Sequence, residues 1–494
     1  KEKISNPRVC VIGAGVAGLS SARYLKEEGI NFTVLECTRY VGGTWRFDPR
    51  VGTDENGLPL HTSMYKHLRT NLPKPTMELN GYRLPDDVPS FPGWERYYKY
   101  LNDIAKHFDI QKHIQFLHLV ESVKRTDNVW KVKRKHVVTG EEFVEDYDYV
   151  IVGTGHHSKP NRPILNGEEK FKGTVIHSHD FRTPEPYAHR RVLIIGAGPS
   201  GMEISLIVAE VASRLVHSHH SPAKFDTTHF PSHYVKRPDV KELNETGVVF
   251  VDGSFEEVDH VILCTGYEYD YPFLDSSSGL TLSPRSVVPL YKYMVNIHEP
   301  SMVFMGLVVR ACLVVAIDAQ ARYATALIKG NFTLPSKKAM MAEWQARADL
   351  LLAKGRPLND IHLSLILTSL IDLRTWRCTF ISPISGKSYF RPRTTSTSTT
   401  LVLFISFYYY SFIFFLIFHC LLSFIQDAYY EELTRESGIA RVPPVLYKIR
   451  DMDTKAKLQN LYTYRNYVYT VLDNETFTRR LEDELKIRKT SVTR

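Results

Sequence analysis

An apolar run ending in G-A-G-x-x-G occurs twice in this chain, as "VCVIGAGVAGLSS" at 9–21 and "VLIIGAGPSGMEI" at 192–204. A short apolar run closing on glycines is the form of a strand buried on both faces of a parallel sheet. Helical spacing follows each turn. In the first copy Gly13 makes the turn, Gly15 lets backbone approach a pyrophosphate, and Gly18 allows a helix to pack closely on the strand. Ala14, Val16 and Ala17 complete the turn and open the helix, whose free N–H groups attract an anion. "NFTVLE" then reads as a second strand and ends on Glu36, 23 residues after Gly13. A carboxylate there accepts hydrogen bonds from a ribose with free hydroxyls. Strand, turn, helix, strand and acid in that order predict a dinucleotide site rather than a structural turn. "CTRYVGGTWRF" follows, where Gly43 brings backbone near a bulky ligand with Thr44 and Trp45 beside it; a core Trp after a turn explains these residues equally well.

The second copy, with Gly196, Gly198 and Gly201, ends differently. The same count of 23 residues from Gly196 lands on His219, inside "HSHHSPAK", with no acid. A carboxylate would repel a ribose 2′-phosphate and a basic neighbourhood accepts one. This site therefore has the character of NADP(H), with His219, His220 and Lys224 as candidate phosphate partners; solvated loop residues are the plainer alternative. The first site has the character of FAD. Each unit also closes with a strand and glycine turn, "YDYVIVGTGHHSKP" at 147–160 and "VDHVILCTGYEYD" at 258–270. The expected fold is α/β, two Rossmann-like dinucleotide-binding domains with the NADP domain inserted into a discontinuous FAD domain. The expected boundaries are 1–160 and 269–362 for the FAD domain, 161–268 for the insert, and 426–494 for a helical tail of the FAD domain. That layout carries hydride from nicotinamide to flavin.

The 494 residues suit two or three domains, and a net charge of +8 not gathered into any basic arm makes nucleic acid an unattractive partner. The six cysteines show no C-x-x-C spacing, which argues against a zinc site or a redox-active disulfide and suits a reducing compartment. The opening "KEKISNPRVC" has no apolar segment of a signal peptide, and a start on Lys1 leaves an upstream segment open. The expected location is cytoplasmic or loosely associated with the endoplasmic reticulum.

"FKGTVIHSHDF" at 171–181 matches F-x-G-x-x-x-H-x-x-x-[FY] through Phe171, Gly173, His177 and Phe181. With "GGTW", "TNLPK" and "CTGY", it makes the chain resemble the flavin-containing monooxygenase family in its compact insect, yeast and bacterial form, across 8–335 and again from about 426. The resemblance implies that NADPH reduces FAD, that O2 is held as a flavin C4a-hydroperoxide, and that one oxygen passes to an amine nitrogen or sulfide of a small xenobiotic or alkaloid. It also implies that Asn71 in "RTNLPKPTM" is the catalytic amide, donating and accepting at once between the oxygenated flavin and the nicotinamide ribose. Gly43, Thr44, Trp45, Thr70 and Asn71 would contact FAD, with Val123 near its adenine. Pro199, Ser200, Met202 and Glu203 would line the NADP pyrophosphate. His177 is expected as a domain-linker contact. Gln320 and Asp318, on a helix over 316–330, would lie near the flavin pyrimidine. A Baeyer–Villiger oxygenase, whose motif ends in Trp where this chain has Phe181, an NADPH oxidase and an inactive cofactor-binding product stay open. A disulfide reductase would need a cysteine pair where only Cys37 stands. Oligomeric state is open, a homodimer included.

Residues 401–425, "LVLFISFYYYSFIFFLIFHCLLSFI", carry no charge and are long enough to span a bilayer. Ten of the 25 are aromatic and none is Gly or Ala, which a packed membrane helix would use. These residue types have pyrimidine-rich codons and the run stops at Gln426, as before a splice acceptor. Translated intron within the anomalous 363–425 insertion is the expectation; a membrane anchor is the alternative.

Overall fold

A computed structural model describes residues 6–220, 226–309, 311–362 and 428–482. The expectations for 363–425 and for Lys224 lie outside the described residues. Among the described residues no helix is long and apolar enough to cross a membrane.

The strand Arg8–Ile12 lies between Asn31–Glu36 and Tyr149–Val152, parallel to both. Ile114–Phe116 extends the sheet on one side and Met302–Phe304 on the other, again in parallel. Two short antiparallel strands, Val295–Asn296 and Leu290–Tyr291, finish that edge. The central strand reads as unbroken apolar sequence because both of its faces are covered. Val9 and Val11 point into a cluster with Leu25 and Ala316, from the helices Val16–Glu27 and Leu313–Lys329. Cys10 and Ile12 point the other way, toward Val123, Trp130 and Val132 of a three-stranded antiparallel sheet.

The chain leaves this sheet after Val152 and returns to it at Leu290, having built a second one in between. There Arg191–Ile195 is central to five parallel strands, flanked by Arg214–Ser218 and Tyr234–Arg237 on one side and by His260–Leu263 and Thr174–His177 on the other. The insertion expected from the two closing turns is therefore present as two separate sheets, the first mainly and the second wholly parallel.

The tail departs from expectation. A helix over 428–437 docks on the first unit, where Gln320 Nε2 donates to Tyr429 Oη at 2.8 Å and buried Lys292 pairs with Glu343 at 3.2 Å and with Glu432. The rest, helix Pro444–Gln459 and hairpin Tyr467–Val471 with Phe477–Leu481, reaches the second unit as well. Leu461 is 3% exposed in the core cluster of Ile194 and Ile204. The tail belongs to both units and is not wholly helical, because its apolar residues find partners on each side.

Candidate active site

The first glycine turn is built for an anion. Gly13 has φ +97°, and a Cβ there would lie 2.8 Å from the Gly153 carbonyl oxygen. At Gly18 a Cβ would sit 1.8 Å from the Gly13 carbonyl oxygen, so the helix lies directly on the turn. Gly13 N–H donates to Leu35 O at 2.8 Å and Ala14 N–H to Glu36 Oε2 at 2.8 Å, while Leu19 N–H already donates to Gly15 O. Among the described residues, the N–H groups of Gly15, Val16, Ala17 and Gly18 have no backbone acceptor, and Gly15 caps the helix without a side chain. Gly43 stands opposite, its would-be Cβ 3.1 Å from Gly15 Cα. Glu36 is 7% exposed, and its Oε1 accepts from Thr38 N–H at 2.9 Å and Thr38 Oγ1 at 2.8 Å. Each carboxylate oxygen offers more than one acceptor direction, so Glu36 braces the turn and keeps acceptor capacity to spare. Free N–H groups, an approachable backbone and a fixed carboxylate fit the ADP half of a flavin dinucleotide. Thr38, which orients Glu36, was not singled out from the sequence; its hydroxyl two residues after the acid was the available signal.

The second turn repeats this geometry with one change. Gly196 has φ +105° with a would-be Cβ 2.4 Å from Cys264 O, and one at Gly201 would lie 1.9 Å from Gly196 O. Gly196 N–H donates to Ser218 O at 2.9 Å, the counterpart of the Gly13–Leu35 bond. The residue after Ser218, His219, therefore occupies the position of Glu36 and is buried there. His220 is exposed, its Nδ1 3.5 Å from Asp239 Oδ1. Two expected pyrophosphate contacts meet a different arrangement. Met202 N–H donates to Gly198 O at 3.0 Å and is spent inside the helix. Glu203 lies one residue further on, and its carboxylate faces the tail: Tyr464 Oη donates to Oε1 at 2.8 Å, Arg465 Nη1 is 2.6 Å from Oε2, and Lys457 Nζ is 3.6 Å from Oε1. Burial raises the Glu203 pKa, and the charges of Arg465 and Lys457 more than reverse that, leaving it below the ordinary value. Pro199 has no N–H, so Gly198, Ser200 and Gly201 are what this turn presents.

The closing turns of the two units meet. His156 and His157 from the first lie 5.5 Å and 5.3 Å, ring to ring, from Tyr269 and Tyr267 of the second. Asn161 N–H donates to Gly266 O at 2.9 Å. The 171–181 motif holds this junction from below. A Cβ at Gly173 would lie 2.3 Å from Asp259 O, and Phe171 packs on the second unit's core. His177 ends the edge strand, with its ring 5.3 Å from Tyr267, its Nδ1 accepting from His179 N–H, and its pKa pushed down to about 4 by burial. Phe181 packs edge-on against Tyr65 at 5.4 Å. Arg182, unremarked in the sequence, donates to the carbonyls of Arg50, Thr62, His179 and Phe181 and stitches this linker to the first unit.

Thr70 is buried, its N–H donating to Pro92 O and its hydroxyl to Leu72 O, both at 2.9 Å. This fixes the backbone on which Asn71 stands, exposed. Thr44 Oγ1 lies 3.5 Å from Ser63 Oγ, and Trp45 packs against Tyr97 at 4.4 Å. Three further expectations meet a different arrangement. Val123 is fully buried and its N–H donates to Phe273 O at 2.8 Å, so that donor is spent. Gln320 is fully buried between the Gly306 N–H, which it accepts at 2.8 Å, and Tyr429. Asp318 accepts from Tyr24 Oη at 2.8 Å and Arg322 Nε at 3.1 Å. Gln320 holds the helix Leu313–Lys329 to its neighbours through both polar ends of its side chain, and Asp318 does so through Oδ1, while its Oδ2 pairs with Arg322 of the same helix.

A sequence profile described as flavin-binding monooxygenase-like matches residues 6–224 and 231–357. The chain is 34% identical over 480 residues to senecionine N-oxygenase of Tyria jacobaeae, covering 96% of this chain and 92% of that protein. It is 32% identical over 385 residues to the flavin-containing monooxygenase FMO GS-OX3 of Arabidopsis thaliana, covering 73% and 82%. Among solved structures, the S-allyl-L-cysteine S-oxygenase of Allium sativum superposes with a TM-score of 0.76 at 25% identity, covering 100% of this chain and 99% of that one. With two glycine cradles in units whose closing turns meet and this likeness along most of its length, the chain belongs to the flavin-binding monooxygenase-like family.

Proposed function

We propose that this chain uses NADPH and O2 to oxygenate the nitrogen of small tertiary amines of the alkaloid type, and more weakly the sulfur of small sulfides. One oxygen atom of O2 enters the product and the other leaves as water; NADPH supplies a hydride, and solvent a proton. Bound FAD supplies the electron transfer and the oxygen chemistry. The chain's own residues do the rest. Gly15 to Gly18 and Glu36 hold the flavin nucleotide, with Gly43, Thr44 and Trp45 alongside. Gly198, Ser200 and Gly201 hold the second pyrophosphate, with His219 toward the 2′-phosphate. Asn71 donates and accepts between the flavin ring and the nicotinamide ribose. It acts as an orienting amide and moves no proton off the substrate, which has none to give. No acid–base pair is needed where the substrate brings its own lone pair.

One observation carries this reading: buried Glu36 and buried His219 occupy equivalent places in two equivalent turns. A carboxylate suits a free ribose and its absence suits a phosphorylated one. The preference for amines rests on the senecionine N-oxygenase likeness, and the sulfide arm on the Allium likeness. The test is a panel of tertiary amines, sulfides and cyclic ketones given to the yellow holoenzyme with NADPH. N-oxides as the main products are expected. Lactones from ketones would favour the Baeyer–Villiger alternative, and hydrogen peroxide alone would favour an oxidase.

A further inference from the structure

Arg465 binds two separate parts of the molecule at once. Its Nη1 pairs with Glu203 Oε2 at 2.6 Å, on the helix that opens at the second glycine turn. Its Nε donates to Thr70 O at 3.1 Å and its Nη2 to Arg69 O at 3.4 Å, the two carbonyls just before Asn71. The side chain is 13% exposed and its guanidinium lies over the Tyr464 ring at 4.8 Å, while Tyr464 itself bonds Glu203. A planar fork with donors in fixed directions makes all three bonds together; an ammonium on a flexible stem does not. The opposite side of the loop is held through Arg69 Nε to Phe91 O at 3.1 Å, and Phe91 packs edge-on against Tyr464.

We infer that Arg465 is a positioning residue for Asn71, registering it to the second nucleotide cradle so that a nucleotide bound there orders the Asn71 loop. The inference rests on the function proposed above and adds a route by which the tail takes part. Without this tie, the Asn71 loop would meet the second unit through the apolar packing of Tyr65 and Leu68 and not through hydrogen bonds beside Asn71 itself.

The experiment follows amide exchange in segments 66–73 and 196–202 of the flavin-loaded protein, with and without NADP+, in the wild type, Arg465→Lys and Glu203→Gln. In the wild type NADP+ slows exchange in both segments. Arg465→Lys keeps a cation beside Glu203 but loses the fork. It is expected to keep its flavin and the protection of 196–202, to lose roughly tenfold of the protection of 66–73, the worth of about one charge-assisted hydrogen bond, and to release more hydrogen peroxide per NADPH with KM for NADPH little changed. Glu203→Gln is expected to act in the same direction more weakly, and it serves as the test should the lysine variant not fold. Unchanged protection of 66–73 in the folded variant overturns the inference, as does a parallel loss in both segments with a matching rise in KM. A wild type that binds no flavin or yields no product overturns the function; a productive wild type with unaltered variants overturns the positioning role alone.

Discussion

Asn71 is an exposed amide on a backbone held by Thr70, so replacing it changes chemistry with little effect on packing. Asn71→Ala is expected to bind flavin and oxidise NADPH while product per NADPH falls about 10²-fold, within the range for losing one aligned donor; peroxide and N-oxide measured together check this. His219→Glu places a carboxylate where the 2′-phosphate is proposed to lie, and kcat/KM for NADPH relative to NADH is expected to fall at least about tenfold, the effect of roughly 1.4 kcal/mol. Asp453 makes a pH prediction. Its carboxylate is 1% exposed, accepts no hydrogen bond from any described residue, and is pushed up to about 7 by burial, against the pull of Lys457 and Arg465. A folded-state pKa above the unfolded one gives stability that is full below the unfolded value, near 4, and is lost as pH rises through 7. Asp453→Asn should therefore raise Tm at pH 8 and give no gain at pH 4. Residues whose place follows from counting along the chain were legible: strand and helix lengths set Glu36 and His219 at matching positions. Met202, Gln320 and Asp318 were not, because helix phase says which way a side chain points and not whether another residue already holds its polar atoms.

Among the elements, the two glycine-led helices tolerate least. A Cβ at Gly18 or Gly201 would sit within 2 Å of a carbonyl oxygen in its own turn, so the helix must lift off the strand. Gly18→Ala is expected to lose about 2–3 kcal/mol, the usual cost of overpacking, and to release flavin, read by denaturant unfolding and by absorbance. Gly198 has nothing within 4 Å, and Gly198→Ala should leave the fold intact while weakening NADPH binding. The strands and helices were readable because apolar runs and glycine stops report buried parallel sheet directly. The tail's division between two units was not, since Tyr464 and Glu203 meet across 261 positions and neither carries a local signal.

For the whole molecule, two similar sheets are joined by the 171–181 linker, by the meeting of their closing turns, and by a tail that grips both. The insertion was legible because each unit repeats its own opening and closing pattern. The way the units face each other depends on Arg182 and Arg465 reaching backbone carbonyls, which no sequence spacing reveals. The central claim is that unlike dinucleotides occupy these like cradles and exchange a hydride. Anaerobic mixing of the purified yellow protein with NADPH or NADH, followed at the flavin absorbance, tests it most directly. Rapid bleaching by NADPH and bleaching at least about tenfold slower by NADH is the predicted result; a colourless protein that takes up no FAD, or equal rates with the two nucleotides, would contradict it.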